Sequence, residues 1–150
     1  MTRTGKLAWA AGLLDGEGCI FIYADKRMLR DGIASVYHTL NVRIAMTHEK
    51  AIYRFRSIVK LGCCANKAPS YYDGRRFKRQ WIWRAVVNDA VTVLKLLLPY
   101  LVTKKEEAIV AIRFFDQMDR HPGKSLPQSI IKKRHTCLLK LQALKKIQWA

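Results

Sequence analysis

The chain is short of acid. Against 28 lysines and arginines stand only 11 aspartates and glutamates, so a protein of 150 residues carries a formal charge of +17. An excess of that size points to a polyanionic partner, nucleic acid before any other. Long apolar runs are missing as well, and none approaches the ~20 residues a membrane-spanning helix needs. The segment from Arg3 to Leu14 imitates a secretory signal, with basic residues ahead of an apolar stretch, but no cleavage region follows. A soluble intracellular protein with no membrane partner is expected. The four cysteines, Cys19, Cys63, Cys64 and Cys137, form no C-x-x-C pair and show no zinc-ligand spacing with His38, His48, His121 or His135. They are expected as reduced, buried or half-buried thiols, and adjacent Cys63 and Cys64 would face opposite sides of a strand rather than form a disulfide. No low-complexity tract interrupts the chain. Half of its residues are apolar, enough for one core, so a single domain over residues 1–150 is expected, with a core of about 5–118 and a basic helix of about 127–147.

Hydrophobic periodicity orders the elements. After a first helix, Ile20, Ile22 and Ala24 alternate with Cys19, Phe21, Tyr23, Asp25 and Arg27, which is the period of a strand with one core face. Beyond a turn at Asp31-Gly32, His38, Leu40, Val42 and Ile44 alternate with Tyr37, Thr39, Asn41, Arg43 and Ala45, giving a hairpin. Thr47 is a candidate cap for a helix with the stripe Ile52, Phe55, Ile58 and Val59, ending near Gly62. A weaker strand spans Cys63 to Ala68, a loop runs from Pro69 to Arg75 with a turn at Asp73-Gly74, and alternation returns from Arg76 to Val87. On this last strand Phe77, Trp81, Trp83, Ala85 and Val87 form the apolar set. Asn88 is a candidate cap for a helix stopped by Pro99; helical patterns resume with Ala108, Ile109, Ile112, Phe115 and Met118, and after a break at His121-Pro122-Gly123 with Ile131, Cys137, Leu138, Leu141 and Leu144. Lys132, Lys133, Arg134, Lys140, Lys145 and Lys146 would form a solvated basic face there. Strands joined by short turns predict an antiparallel sheet with helices on one face only. The other face is polar, and its residue types suit base edges and phosphates.

The stretch Ala-Ala-Gly-Leu-Leu-Asp-Gly-Glu-Gly at residues 10–18 is the most informative. Ala8, Ala11, Gly12 and Asp15 recur at helical spacing and leave one face nearly bare, so another helix can approach closely. Leu7, Trp9, Leu13 and Leu14 cover the other faces. Gly16 and Gly18 flank Glu17, as if the chain left its helix through unusual dihedrals with a carboxylate at the exit, placed to hold a divalent cation through oxygen. An isolated Asp-Gly-Glu-Gly would read as a helix C-cap and a polar turn. With the small-residue helix ahead of it, the stretch resembles the LAGLIDADG motif of homing endonucleases, and the order αββαββα behind it is similar to that family's topology over about the first two-thirds of the chain.

The resemblance implies an α+β fold, an antiparallel sheet saddle with helices on one face, followed here by extra C-terminal helices. It implies a site-specific double-strand DNA endonuclease that hydrolyses phosphodiesters of a long pseudo-palindromic target with Mg²⁺, with Mn²⁺ or Ca²⁺ as alternative occupants. Because the motif occurs once, it implies a homodimer whose motif helices meet through Ala8, Ala11, Gly12 and Asp15. By position, Glu17 is the metal-binding acid, replacing the more usual aspartate, and the Gly16 carbonyl is a further ligand. His48, where close relatives carry glutamine, and Lys104, with Lys105 as its competitor, would shape the water network around the scissile phosphate. Solvent-facing roles at the start of a helix are the plain alternatives for both. The DNA-contacting set is Phe21, Tyr23, Asp25, Arg27, Tyr37, Thr39, Asn41, Arg43, Lys67, Arg76, Lys78, Gln80 and Arg84. Two further functions are compatible with the same fold: a maturase that binds its host intron RNA, and a DNA-binding protein that has lost cleavage.

Overall fold

A computed structural model describes residues 1–29, 32–118 and 126–148, with the side chains of the last two left out of account. Asp31 of the expected turn and the His121-Pro122-Gly123 break lie outside the described residues. Helix α1 (Arg3–Glu17) leads into the antiparallel pair β1 (Gly18–Met28) and β2 (Ala34–Met46), then α2 (Glu49–Val59). Strand β3 (Cys63–Lys67), the short β4 (Ser70–Tyr72) and β5 (Arg75–Phe77), and β6 (Gln80–Val86) precede α3 (Val87–Leu97). A 3₁₀ turn at Leu98–Tyr100 joins it to α4 (Lys105–Asp116), and α5 (Gln128–Gln148) closes the chain.

The main sheet has the order β1-β2-β6-β3 and is antiparallel throughout. Its register sets Ile20 opposite Val42 and Ile44 opposite Trp83, and all four side chains are fully buried beneath the helices. Odd-numbered positions of β1 and β2 and even-numbered positions of β6 face away from that core, as the alternation requires. Trp83 anchors the helical side, with its ring 4.6 Å from Phe55 in an edge-on arrangement and its indole N–H donating to the Leu61 carbonyl at 2.9 Å. Gly62, at φ +77°, presses on this ring so closely that a Cβ there would lie 2.8 Å from Trp83 Nε1, which is why the α2–β3 connection passes through glycine.

Several expectations need correction. The segment from Pro69 to Arg75 is not simply a loop: Asp73 and Gly74, both at positive φ, turn a small separate hairpin in which Tyr71 faces Arg76. Phe77 accordingly leaves the core set and is exposed. Helix α2 is capped by His48, not Thr47, and α3 starts at Val87 directly from the strand with no side-chain cap, so Asn88 lies inside the helix. In α4 the deeply buried stripe is Glu107, Ala108, Ala111 and Phe114, while Ile109, Ile112 and Phe115 are only half-buried. Arg134 is buried rather than solvated, and lines a cavity between α4 and α5. Cys19 and Cys63 are exposed, and all four cysteines are free.

Candidate active site and nucleic-acid interface

The carboxyl end of α1 and the start of α4 are built into one another. Asp15 Oδ2 accepts from the Val102 amide at 2.8 Å and Oδ1 from the Lys104 amide at 2.9 Å, so one carboxylate satisfies two amides where α4 begins. In return the Lys104 ammonium donates to the Asp15 carbonyl, with the Thr103 hydroxyl on the same oxygen at 3.4 Å. Both halves of the exchange follow the helix dipoles, with an anion at the amino end of α4 and a cation at the carboxyl end of α1. Lys104, not Lys105, is thereby tied to the backbone two residues before Glu17. Asp15, expected at a subunit interface, spends its carboxylate on amides of its own chain.

Glu17 is the last residue of α1, and its side chain is exposed with no hydrogen bond or ion pair among the described residues. The Gly16 carbonyl lies in the same final turn, where helix geometry supplies no i+4 donor. Neither Gly16 nor Gly18 takes a positive φ, contrary to the unusual dihedrals expected. Gly18 is needed for space instead: its amide donates to the Leu14 carbonyl, and a Cβ would collide with that oxygen and with the Leu14 side chain. An oxygen-only pair of carboxylate and carbonyl suits a hard divalent cation, which keeps several waters when protein ligands are few. No group of three His, Cys, Asp or Glu side chains gathers among the described residues.

His48 follows β2 at the same end of the sheet, since Gly18 lies opposite Ile44. Its Nδ1 accepts from the Ala51 amide at 3.3 Å as the cap of α2. In the neutral ring that bond puts the proton on Nε2. His48 is therefore a donor towards solvent.

The opposite face of the sheet forms a concavity of about 630 Å³. Phe21, Tyr23, Arg27, Thr39, Asn41, Arg43 and Arg84 line it together, joined by Cys63, Ala65 and Ile82, which the sequence reading did not include. Asp25 and Tyr37 lie opposite each other further along β1 and β2; Asp25 pairs with Arg27 at 3.2 Å, and the Arg27 guanidinium stands 5.6 Å from the Tyr37 ring centroid. Lys67, Lys78 and Gln80 do not reach this concavity and border a second of about 470 Å³ with Tyr71, Tyr72 and Phe77. Arg76 sits on the separate hairpin. The exposed tyrosines of that hairpin were missed because two strands of three residues carry almost no periodic signal. One expected base reader needs correction: Asn41 is only 2% exposed, and both the oxygen and the nitrogen of its amide are bonded within the sheet.

On the helical side α1 keeps an open flank. Ala8, Gly12 and Gly16 are exposed four residues apart, and a Cβ at either glycine would meet nothing within 4 Å. Ala11, expected on that flank, is fully buried in the core of its own chain.

These features define a class by fold: the chain has the LAGLIDADG homing endonuclease fold, with the acidic motif at the carboxyl end of its first helix. The structure of the homing endonuclease I-CvuI in complex with the I-CreI target, with Mg present and the DNA uncleaved, superposes with a TM-score of 0.72 over 95% of this chain and 83% of that one at 20% identity. The archaeal intron-encoded I-Vdi141I bound to DNA matches at 0.71 over 95% and 86%, at 14% identity, and I-TnaI at 0.60 over 97% and 95%, at 19% identity. Sequence comparison finds no matching family model and no match among curated proteins. No described helix is long and apolar enough to cross a membrane.

Proposed function

We propose that the chain is a single-motif homing endonuclease which, as a homodimer, cuts both strands of a specific DNA duplex. The carrying observation is the exposed Glu17 carboxylate, without a partner among the described residues, two residues beyond the Asp15 carbonyl that holds the Lys104 ammonium, in an architecture whose solved examples include complexes with DNA. The open flank of α1 at Ala8, Gly12 and Gly16 is where a second copy packs, bringing two Glu17 carboxylates to one axis and matching two strands of a near-palindromic site.

Each group has a separable task. Glu17 and the Gly16 carbonyl would hold a divalent cation, Mg²⁺ in the cell, which when bound neutralises the phosphodiester and lowers the pKa of water. Lys104 keeps spare N–H donors after its bond to the Asp15 carbonyl and directs them at the charge that builds on the phosphoryl oxygens. His48 donates from Nε2 to a water or phosphate oxygen and orients it. The basic concavity of the sheet lies in the major groove, wide enough for a two-stranded ribbon, and sets the register of the cut.

The test is a supercoiled-plasmid assay with Mg²⁺ and candidate insertion sites, together with sedimentation of the free protein. Glu17→Gln keeps the shape and removes the charge, so cleavage should fall at least 100-fold while duplex binding survives. Undiminished cutting by this variant, or a wild-type monomer that severs both strands at one site, would overturn the proposal.

A further inference from the structure

Arg43 and Arg84 stand directly opposite each other on β2 and β6, on the open face of the sheet. Like charges so placed repel, and neither forms an ion pair among the described residues. Only one of them is tethered. Asn41 Oδ1 accepts from Arg84 Nε at 3.1 Å and from Nη2 at 2.8 Å, so the guanidinium is chelated along one edge. The amide cannot turn over, because Asn41 Nδ2 donates to the Thr39 carbonyl at 3.0 Å within the sheet. Arg43 is exposed and makes no hydrogen bond among the described residues.

A guanidinium has five N–H donors. With two spent on Asn41, Arg84 keeps both protons of Nη1 and one of Nη2, and its terminal edge presents two parallel donors. That edge matches two adjacent acceptors, which in the major groove are O6 and N7 of guanine; adenine places a donor beside its N7 acceptor. We propose that Asn41 is a positioning residue that locks Arg84 as the reader of a guanine in each half-site, while untethered Arg43 supplies charge to the phosphates without selecting a base. The inference rests on the duplex-DNA reading above. It divides the labour of two arginines that occupy equivalent places in the strand alternation, and it takes Asn41 out of direct readout.

The experiment selects bound duplexes from a pool of random-sequence DNA in Ca²⁺, using the full chain, and reads base frequencies at every position alongside melting temperature and the salt dependence of binding. Wild type should enrich guanine at one position of each half-site. Arg84→Lys keeps the charge and loses the fork, so affinity for guanine-bearing duplexes should drop about tenfold towards that for the other bases, the scale of a lost bidentate pair, with melting nearly unchanged. Asn41→Ala should weaken the same preference at the same position and no other, whereas Arg43→Ala should lower affinity for all sequences alike and reduce the salt slope. Failure of wild type to retain any duplex would remove the underlying DNA reading. Retention of a sequence-specific duplex with a profile unmoved by Arg84→Lys would overturn the assignment of Arg84, and a shift at a different position in Asn41→Ala would overturn the positioning role of Asn41.

Discussion

Replacing Asp15 by alanine cuts the link between the two helix ends that form the candidate active site. The change strips the acceptor from two amides, those of Val102 and Lys104 at 2.8 and 2.9 Å. Hydrogen bonds to a charged acceptor contribute about 1.5–3 kcal/mol each, and an anion at the amino end of a helix adds about 0.3–1 kcal/mol. Asp15 is half-buried, so water reaches the freed amides and recovers part of this. A net loss of about 2–4 kcal/mol is expected, or about 4–16 °C in Tm for a chain of this size. Asp15→Asn should lose roughly half as much, because its side-chain carbonyl still serves one amide while its NH₂ faces the other. Thermal melts give the total, and hydrogen exchange locates it, with protection falling at the amides of residues 102 and 104. Cleavage should fall further than stability accounts for, since Lys104 is held only while that loop stays in place. A wild-type Tm with unchanged protection at these two amides would refute the reasoning. Destabilisation confined to protein concentrations at which the chain dimerises would refute it too, by placing the carboxylate's partner in another subunit.

Trp83→Ala should cost about 3–5 kcal/mol through the cavity left against Phe55 and the Leu61 carbonyl that loses its donor, measured by urea unfolding; an unchanged midpoint would mean that the helical side of β6 is not its core side. Stability should also depend on pH through His38, which is buried with neither ring nitrogen hydrogen-bonded and packs 5.9 Å from the His135 ring. Burial first, then the charges of His135 and Arg134, lower its pKa below the ordinary 6.5. The unfolded chain therefore takes up a proton that the folded one resists, so stability is full above about pH 6.5 and declines as pH falls below it. His38→Leu should flatten that decline in pH-dependent unfolding, and an unaltered slope would rule His38 out as its source.

What was legible in the sequence is what repeats locally. Alternation of period two sorted Ile44 and Trp83 from Arg43 and Arg84 onto opposite faces, because a strand's side chains must alternate whatever packs against them. The small-residue helix running into Asp-Gly-Glu-Gly marked the end of α1, since a carboxylate between two glycines is local chemistry. Tertiary structure decided the partners. Asp15 binds amides 87 and 89 residues away, so no window of sequence could separate an intrasubunit clamp from an interface residue. Asn41 and Arg84 stand 43 residues apart and share the open face, yet β2–β6 pairing makes one the other's holder and takes it out of contact with solvent. Ala11 shares its helical spacing with Gly12, but it is buried in the core of its own chain, leaving the flank at Ala8, Gly12 and Gly16 open. Spacing assigns a residue to a side of its element, and burial against elements far along the chain determines what remains on that side for a ligand.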